Sequence, residues 1–156
     1  MQVRKASMAD AALLSQLNMH VQQLHADAYP ALFKPPTADF AVSFFEMFLE
    51  NPMVQIFIAE EAEGKAAGYV VCQVVHREEN AFTFERDYVH VDQISVEPDQ
   101  QGKGVGSALL ARVDALAKEA GVTQITLDSW IFNTHAHHFF ERHGYAVFNL
   151  RMWKER

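Results

Sequence analysis

Gly102, Gly104 and Gly106 stand three in five residues, and a helical run from Ser107 to Ala120 follows them directly. This spacing suits a diphosphate. Glycines let backbone approach a ligand closely, the first N–H groups of a helix have no partner inside it, and the helix dipole is positive at that end. The strand upstream carries two proton-active side chains, His90 and Asp92. A carboxylate or imidazole held on a strand beside an anion site can take a proton from a nucleophile. Alternation places His90, Asp92, Ile94 and Val96 on one face of that strand. A Walker-type loop is excluded, because Lys103 is followed by Gly104 and not by Ser or Thr. A dinucleotide fingerprint is a lesser alternative. Ser107 is small and Asp128 is placed for a ribose acid, but Glu97 to Gln101 separate the strand from Gly102 where that motif needs an immediate turn.

Gln101-Gly102-Lys103-Gly104-Val105-Gly106 resembles the Arg/Gln-x-x-Gly-x-Gly/Ala acyl-CoA loop of the GNAT superfamily of N-acetyltransferases. A second block, Asn133-Thr-His-Ala136-His-His-Phe139-Phe140-Glu-Arg-His-Gly144-Tyr145, resembles the same family's Asn-x-x-Ala-x-x-Phe-Tyr-x-x-x-Gly-Phe. Two blocks in order, each in its strand or helix context, are a specific signal. The likeness is close from Val89 to Tyr145; before that it rests on the order of elements.

The resemblance implies an α/β fold with a mixed central sheet flanked by helices, whose central strands splay to form an acyl-CoA cleft. It implies acetyl-CoA as cosubstrate and an amine as acceptor. Backbone amides of Ile94 and Val96 would hold the pantetheine arm and thioester, and the loop Gln101, Gly102, Lys103, Gly104, Val105, Gly106 and Ser107 the pyrophosphate. Gly104 and Gly106 are then expected where a side chain would collide with it. Lys103 and Arg142 can reach phosphates, and Asn133 would cap its helix and bond the pantetheine. The family often places a carboxylate base nine residues before the Arg/Gln of the loop, which is Asp92, with His90 to assist or replace it. Phe140 stands at the cofactor where relatives frequently carry a tyrosine general acid, so that role is unassigned. Tyr29 and Phe33 fall in the helix–loop–helix that forms the acceptor wall. Many relatives have one more strand after the last one here, and a homodimer is one way to finish the sheet edge.

Those residues need a scaffold, and the chain supplies one domain over 1–156. Its 49% hydrophobic and 21% charged content are globular values. A formal charge of −7 argues against nucleic acid, and acids from Glu46 to Asp92 form either a solvated surface or a field for cationic amines. No apolar run has membrane-spanning length, and a cytoplasmic protein is expected. Cys72 sits in an apolar run and reads as a packed hydrophobe. His135, His137, His138, His143 and Glu141 lack a metal-ligand pattern, so no metal is expected.

In order, the sequence predicts a strand at Gln2–Lys5, and a helix opened by the capping box Ser7-x-x-Asp10 and carrying Leu14, Leu17, Val21, Leu24 and Ala28. A proline-rich break follows. A second helix is expected from Thr37 with Phe40, Phe44, Met47 and Phe48 in the core. Strands are expected at Val54–Glu61 and Ala66–Val75, joined by Glu63-Gly64-Lys65, then at Tyr88–Val96, Gln124–Trp130 and Tyr145–Trp153. The activity expected is N-acetylation of a small primary amine such as a polyamine, amino acid or aminoglycoside-like compound. The alternatives are acetylation of a protein N-terminus or lysine, and a CoA-binding module without catalysis.

Overall fold

Runs of β-branched and aromatic residues form five strands: β1 (Gln2–Lys5), β2 (Val54–Glu60), β3 (Ala66–Arg77), β4 (Arg86–Val96) and β5 (Ile125–Leu127). They come from a computed structural model that describes all 156 residues. The strands lie in chain order; β1 to β4 pair antiparallel and β4 pairs with β5 in parallel. The parallel step needs a crossover, and helix α3 (Val105–Glu119) makes it. Helices α1 (Ala11–Ala28) and α2 (Val42–Glu50) pack on one face, α3 packs on the other, and α4 (Thr134–Arg142) follows β5. This is a mixed α/β fold with a five-stranded sheet and four helices. A largely antiparallel sheet is not the parallel, doubly wound frame that the dinucleotide reading needs.

Two apolar layers hold it together. On the α3 side Val70, Cys72, Val89 and Val91 meet Val105, Leu109 and Val113; on the other Ile56, Ile58, Tyr69 and Val71 meet Leu14, Leu17 and Phe45. Burial pushes the Cys72 thiol up to about 12, with Asp92 adding to the effect, so it packs as an inert hydrophobe. The Ser95 hydroxyl donates to Leu17 O at 3.0 Å, fixing α1 on β4. Gly64, at φ 76°, turns the β2–β3 hairpin as expected.

Three expectations are corrected. The second helix begins at Val42, not Thr37. Asp39 is the one non-glycine residue with positive φ (58°), and a left-handed residue interrupts helix propagation. That shift rotates the aromatic stripe: Phe45 is fully buried while Phe44 and Met47 are exposed. Next, β5 is confined to Ile125–Leu127, and residues 146–156 form neither a strand nor any backbone hydrogen bond. The alternating pattern of Tyr145–Trp153 is real, but alternation supplies no partner strand.

The third correction bears on the site. Val71 lies opposite Gln93 and Cys72 opposite Val91, leaving Asp92 as an extra residue in β4. This β-bulge resets the alternation. Ile94 and Val96 turn to the α3 layer, whereas His90 and Gln93, opposite Gln73 and Val71, belong to the α1 side. His90 and Asp92 therefore do not share a face with Ile94 and Val96.

Candidate active site

Beyond β4 the chain makes one 3-10 turn (Pro98–Gln100) and then the glycine loop. Gly102 and Gly104 have φ of 76° and 86°, conformations that other residues reach only with strain. Gly104 is the N-cap of α3, and its carbonyl accepts from Ala108 N–H at 3.0 Å. The N–H groups of Val105, Gly106 and Ser107 consequently have no acceptor, and those of Gly102 and Gly104 are also unpaired. Five unpaired donors at the positive end of a 15-residue helix are what a diphosphate requires. A Cβ on Gly102 or Gly104 would meet no atom within 4 Å. Gly106 differs from expectation: its Cβ would lie 2.8 Å from Phe139 Cζ. Its lack of a side chain serves the packing of α3 on α4, and only its N–H faces the cradle. Gln101 Nε2 donates to Val96 O at 3.4 Å, and Lys103 Nζ to Gln100 Oε1 at 3.4 Å.

Helix α4 closes on this loop. Asn133 is its N-cap, Oδ1 accepting from Ala136 N–H at 3.2 Å. His143 Nδ1 lies 2.8 Å from Phe139 O, and its Nε2 lies 2.9 Å from Ser107 Oγ. A carbonyl only accepts, so Nδ1 carries a proton, and Nε2 is left to pair with the Ser107 hydroxyl. Phe140 is 8% exposed and packs on Phe139 and Tyr145. The Tyr145 hydroxyl is buried without a partner, and burial, with Asp114 and Cys72, raises it to about 12. Arg142 is exposed on the last turn of α4 and forms no ion pair. Glu141 approaches His138 at 3.4 Å rather than His137.

The open edge of β4 supplies a second set of donors. Glu97 N–H donates to Ala67 O at 2.9 Å, so alternation directs the N–H groups of Ile94 and Val96 away from β3. On that side pairing with β5 has ended at Val91 opposite Leu127. Earlier on the same strand, both oxygens of Asp92 accept from Gln73 Nε2 at 3.2 Å. Asp92 is exposed by area, yet desolvation raises its carboxyl above the usual range; Asp128 adds to this, while His90 and Gln73 oppose it. His90 Nδ1 lies 2.8 Å from Thr126 Oγ1, and Nε2 lies 3.8 Å from Asp128 Oδ2. Gln73 and Thr126 were not legible as site residues, and Asp128 was noted only for the dinucleotide alternative, because β3 and the segment at β5 meet His90 and Asp92 only in the sheet.

Tyr29 and Phe33, expected at the acceptor, join an aromatic cluster. Phe33 is 5.0 Å and Tyr29 5.6 Å from the Trp130 ring, Tyr29 is 5.5 Å from Phe132, and His25 stacks on Phe33 at 4.9 Å. Trp130 lies two residues beyond Asp128, so the wall adjoins the acidic group. A further cavity of about 330 Å³ lies between Asn18, Gln22, Phe40, Phe44 and Gln93. Next to it the buried Tyr69 hydroxyl donates to Gln93 Oε1 at 2.8 Å and accepts from Asn18 Nδ2.

The profile of the Acetyltransferase (GNAT) family matches residues 19–145. The chain belongs to the GNAT acetyltransferase family. It is 29% identical to an aminoglycoside N(6')-acetyltransferase type 1 of Stenotrophomonas maltophilia, over 86% of this chain and 79% of that one. It is 25% identical to a putative [ribosomal protein bS18]-alanine N-acetyltransferase of Bacillus subtilis, over 85% and 76%. A tetramutant of the BH1408 protein of Bacillus halodurans superposes with a TM-score of 0.95 at 20% identity, covering all of both chains. This GNAT protein is thus an acetyl-CoA-dependent N-acetyltransferase. No helix is long and apolar enough to cross a membrane.

Proposed function

We propose that this GNAT enzyme acetylates a primary amine of a small cationic molecule, of the polyamine, amino-acid or aminoglycoside type. The observation that carries this reading is Asp128, whose carboxylate lies 3.8 Å from His90 Nε2, with Asp92 two residues from His90 on β4 and the wall of Tyr29, Phe33 and Trp130 beginning two residues beyond Asp128. Carboxylates attract a polycation, and aromatic faces accept an ammonium. The similarity to an aminoglycoside N(6')-acetyltransferase supports the same reading.

In this account the N–H groups of Gly102 and Gly104 to Ser107 hold the pyrophosphate of acetyl-CoA, with Gln101, Lys103 and Arg142 at its rim. Asn133 and Phe140 flank the pantetheine. The amides of Ile94 and Val96 orient the thioester and stabilise negative charge on its oxygen. An amine with a pKa of about 10.4 is almost wholly protonated at neutral pH. Asp92 takes that proton directly or through water, while Thr126 orients His90 alongside. The amine nitrogen bonds to the acetyl carbon, the C–S bond breaks, and the thiolate collects a proton from water.

Phenylalanine at 140 brings no acid to that last step. A thiol of pKa about 8.5 leaves tolerably as an anion, so the omission costs little. Phe140→Tyr should leave acetyl-CoA affinity unchanged and raise kcat by less than ~10-fold, below the usual range for general acid help. A native protein that is inactive, and that this change rescues by orders of magnitude, would instead support a module that binds CoA without catalysis.

A protein N-terminus is the second reading, favoured by the similarity to the putative alanine N-acetyltransferase. Small polyamines, aminoglycosides, amino acids and an alanyl peptide, each offered with acetyl-CoA and followed by thiol release, separate the two. The highest kcat/KM is expected on a polycationic small amine; exclusive use of the peptide overturns the proposal.

A further inference from the structure

One histidine ties the glycine loop to α4. His143 is the C-cap of that helix. Its Nδ1 lies 2.8 Å from Phe139 O and its Nε2 lies 2.9 Å from Ser107 Oγ. The imidazole packs on the Phe139 ring with centroids 4.4 Å apart, and Phe139 is the ring against which Gly106 is seated. These contacts hold the second ring nitrogen at the first turn of α3. Ser107 is the third residue of that turn, and its own N–H is one of the unpaired donors. Helical side chains lean toward the N-terminus of their helix, so the Ser107 hydroxyl joins the imidazole to the rim of the cradle.

A serine hydroxyl has one hydrogen to give and two lone pairs to offer. With Nε2 bare, that hydrogen goes to the imidazole, and Oγ turns only lone pairs toward a phosphate. With Nε2 protonated, the imidazole donates to Oγ instead, and the hydrogen of Ser107 is free for a phosphate oxygen. Nδ1 keeps its proton in both states, because its partner is a carbonyl. The protonated state therefore adds a donor and a positive charge to the cradle without turning the ring.

Charged and titratable groups face His143 from each neighbouring element. The groove of about 510 Å³ that it lines brings Asp114 of α3, Arg86 and Tyr88 of β4, and Tyr145. Glu141 of α4 is turned to His138 at 3.4 Å and Lys103 of the loop to Gln100 at 3.4 Å, and Arg142 is exposed. The imidazole's hydrogen-bond partners are Phe139 O and Ser107 Oγ, and no carboxylate pairs with it. We propose that His143 is a positioning residue that links acetyl-CoA binding to a proton: it aims the Ser107 hydroxyl, holding its hydrogen when Nε2 is bare and releasing it to the pyrophosphate when Nε2 is protonated. This link rests on the reading of the glycine loop as the pyrophosphate site. Imidazoles change charge between about pH 5 and 8. Affinity therefore rises as pH falls through that range, and by reciprocity binding draws a proton from solution.

Calorimetry of the full chain tests this with acetyl-CoA and with its dephospho form. The second ligand is needed because a phosphomonoester titrates near pH 6 itself, whereas a pyrophosphate diester does not. The dephospho form should bind about 10-fold tighter at pH 6 than at pH 8, the low end for a hydrogen bond to a charged group. Titrations in buffers of different ionisation enthalpy should show net proton uptake near neutral pH. His143→Gln and Ser107→Ala should each remove the pH dependence and the uptake, and the double variant should do no more than either. Neither residue belongs to a core cluster, so circular dichroism should be unchanged. A histidine kept only for packing would shift affinity equally at both pH values. Native affinity that is flat with pH overturns the His143 link alone, as does a pH dependence that survives either variant. Absence of binding at both pH values overturns the link and the reading of the loop together.

Discussion

Gly104→Asp should abolish acetyl-CoA binding in a protein that remains folded. The fold tolerates the change because a Cβ at 104 meets nothing within 4 Å, and aspartate is among the residues that accept a left-handed φ such as 86°. The expected folding penalty is about 1 kcal/mol. The ligand meets a different situation. An aspartate at the N-cap accepts hydrogen bonds from the N–H groups of the first turn, the donors proposed to hold the pyrophosphate. It also sets a negative charge against that anion. Two like charges about 4 Å apart repel by roughly 1 kcal/mol in water and roughly 4 kcal/mol near a protein surface, which spans about 5- to 1,000-fold in affinity before the lost donors are counted. Gly104→Ala carries the backbone strain without the charge and should bind acetyl-CoA within about 10-fold of native. Titration calorimetry of both variants separates the causes. Unchanged affinity in folded Gly104→Asp would mean that the glycine loop is not the site. Equal loss in Gly104→Ala would assign the effect to strain.

That prediction could be framed from sequence because the cradle is local. Gly102 to Ser107 are consecutive, and their donors follow from where one helix begins. Asn133 was legible as an N-cap for the same reason, and the two sequence blocks placed the family. What sequence could not give depends on contacts between segments. Gly106 looked like a second ligand-facing glycine, but the Phe139 ring, 33 residues away in the chain, requires its small size. The bulge at Asp92 is a relation between β3 and β4, so alternation along β4 alone placed Ile94 and Val96 on the wrong face. Asp128 and Thr126 join His90 only across the β4–β5 pair. On α2, Asp39 moved the helix start, and a helix turns about 100° per residue, so the core-facing aromatic became Phe45. Residues 145–153 carry a strand's pattern, but a pattern reports readiness to pair and not the presence of an edge to pair with.

The second large effect is expected at Asp92. Asp92→Asn should lower kcat by ~10²–10⁴-fold, the usual range for general acid–base catalysis, with acetyl-CoA affinity unchanged. The asparagine carbonyl can still accept from Gln73, so the bulge keeps its cross-strand contact. The pH dependence has a definite sign. A base works when ionised, and desolvation raises the Asp92 carboxyl above the ordinary 3.8. The native rate should therefore fall as pH drops through that raised value, and the amide, which does not titrate, should lose this acidic limb. Stability should move in the opposite direction. A carboxyl whose folded pKa exceeds its unfolded one favours the folded state only while protonated, and ionising it at neutral pH costs stability. Asp92→Asn removes that cost, so Tm at neutral pH should hold or rise while turnover collapses. A residue kept only for structure gives the reverse, a lower Tm with kcat intact. An unchanged pH profile in Asp92→Asn would transfer the proton to His90, and His90→Gln would then remove the limb instead. Its ring is already oriented for the role by Thr126, 2.8 Å from Nδ1, which leaves Nε2 toward Asp128.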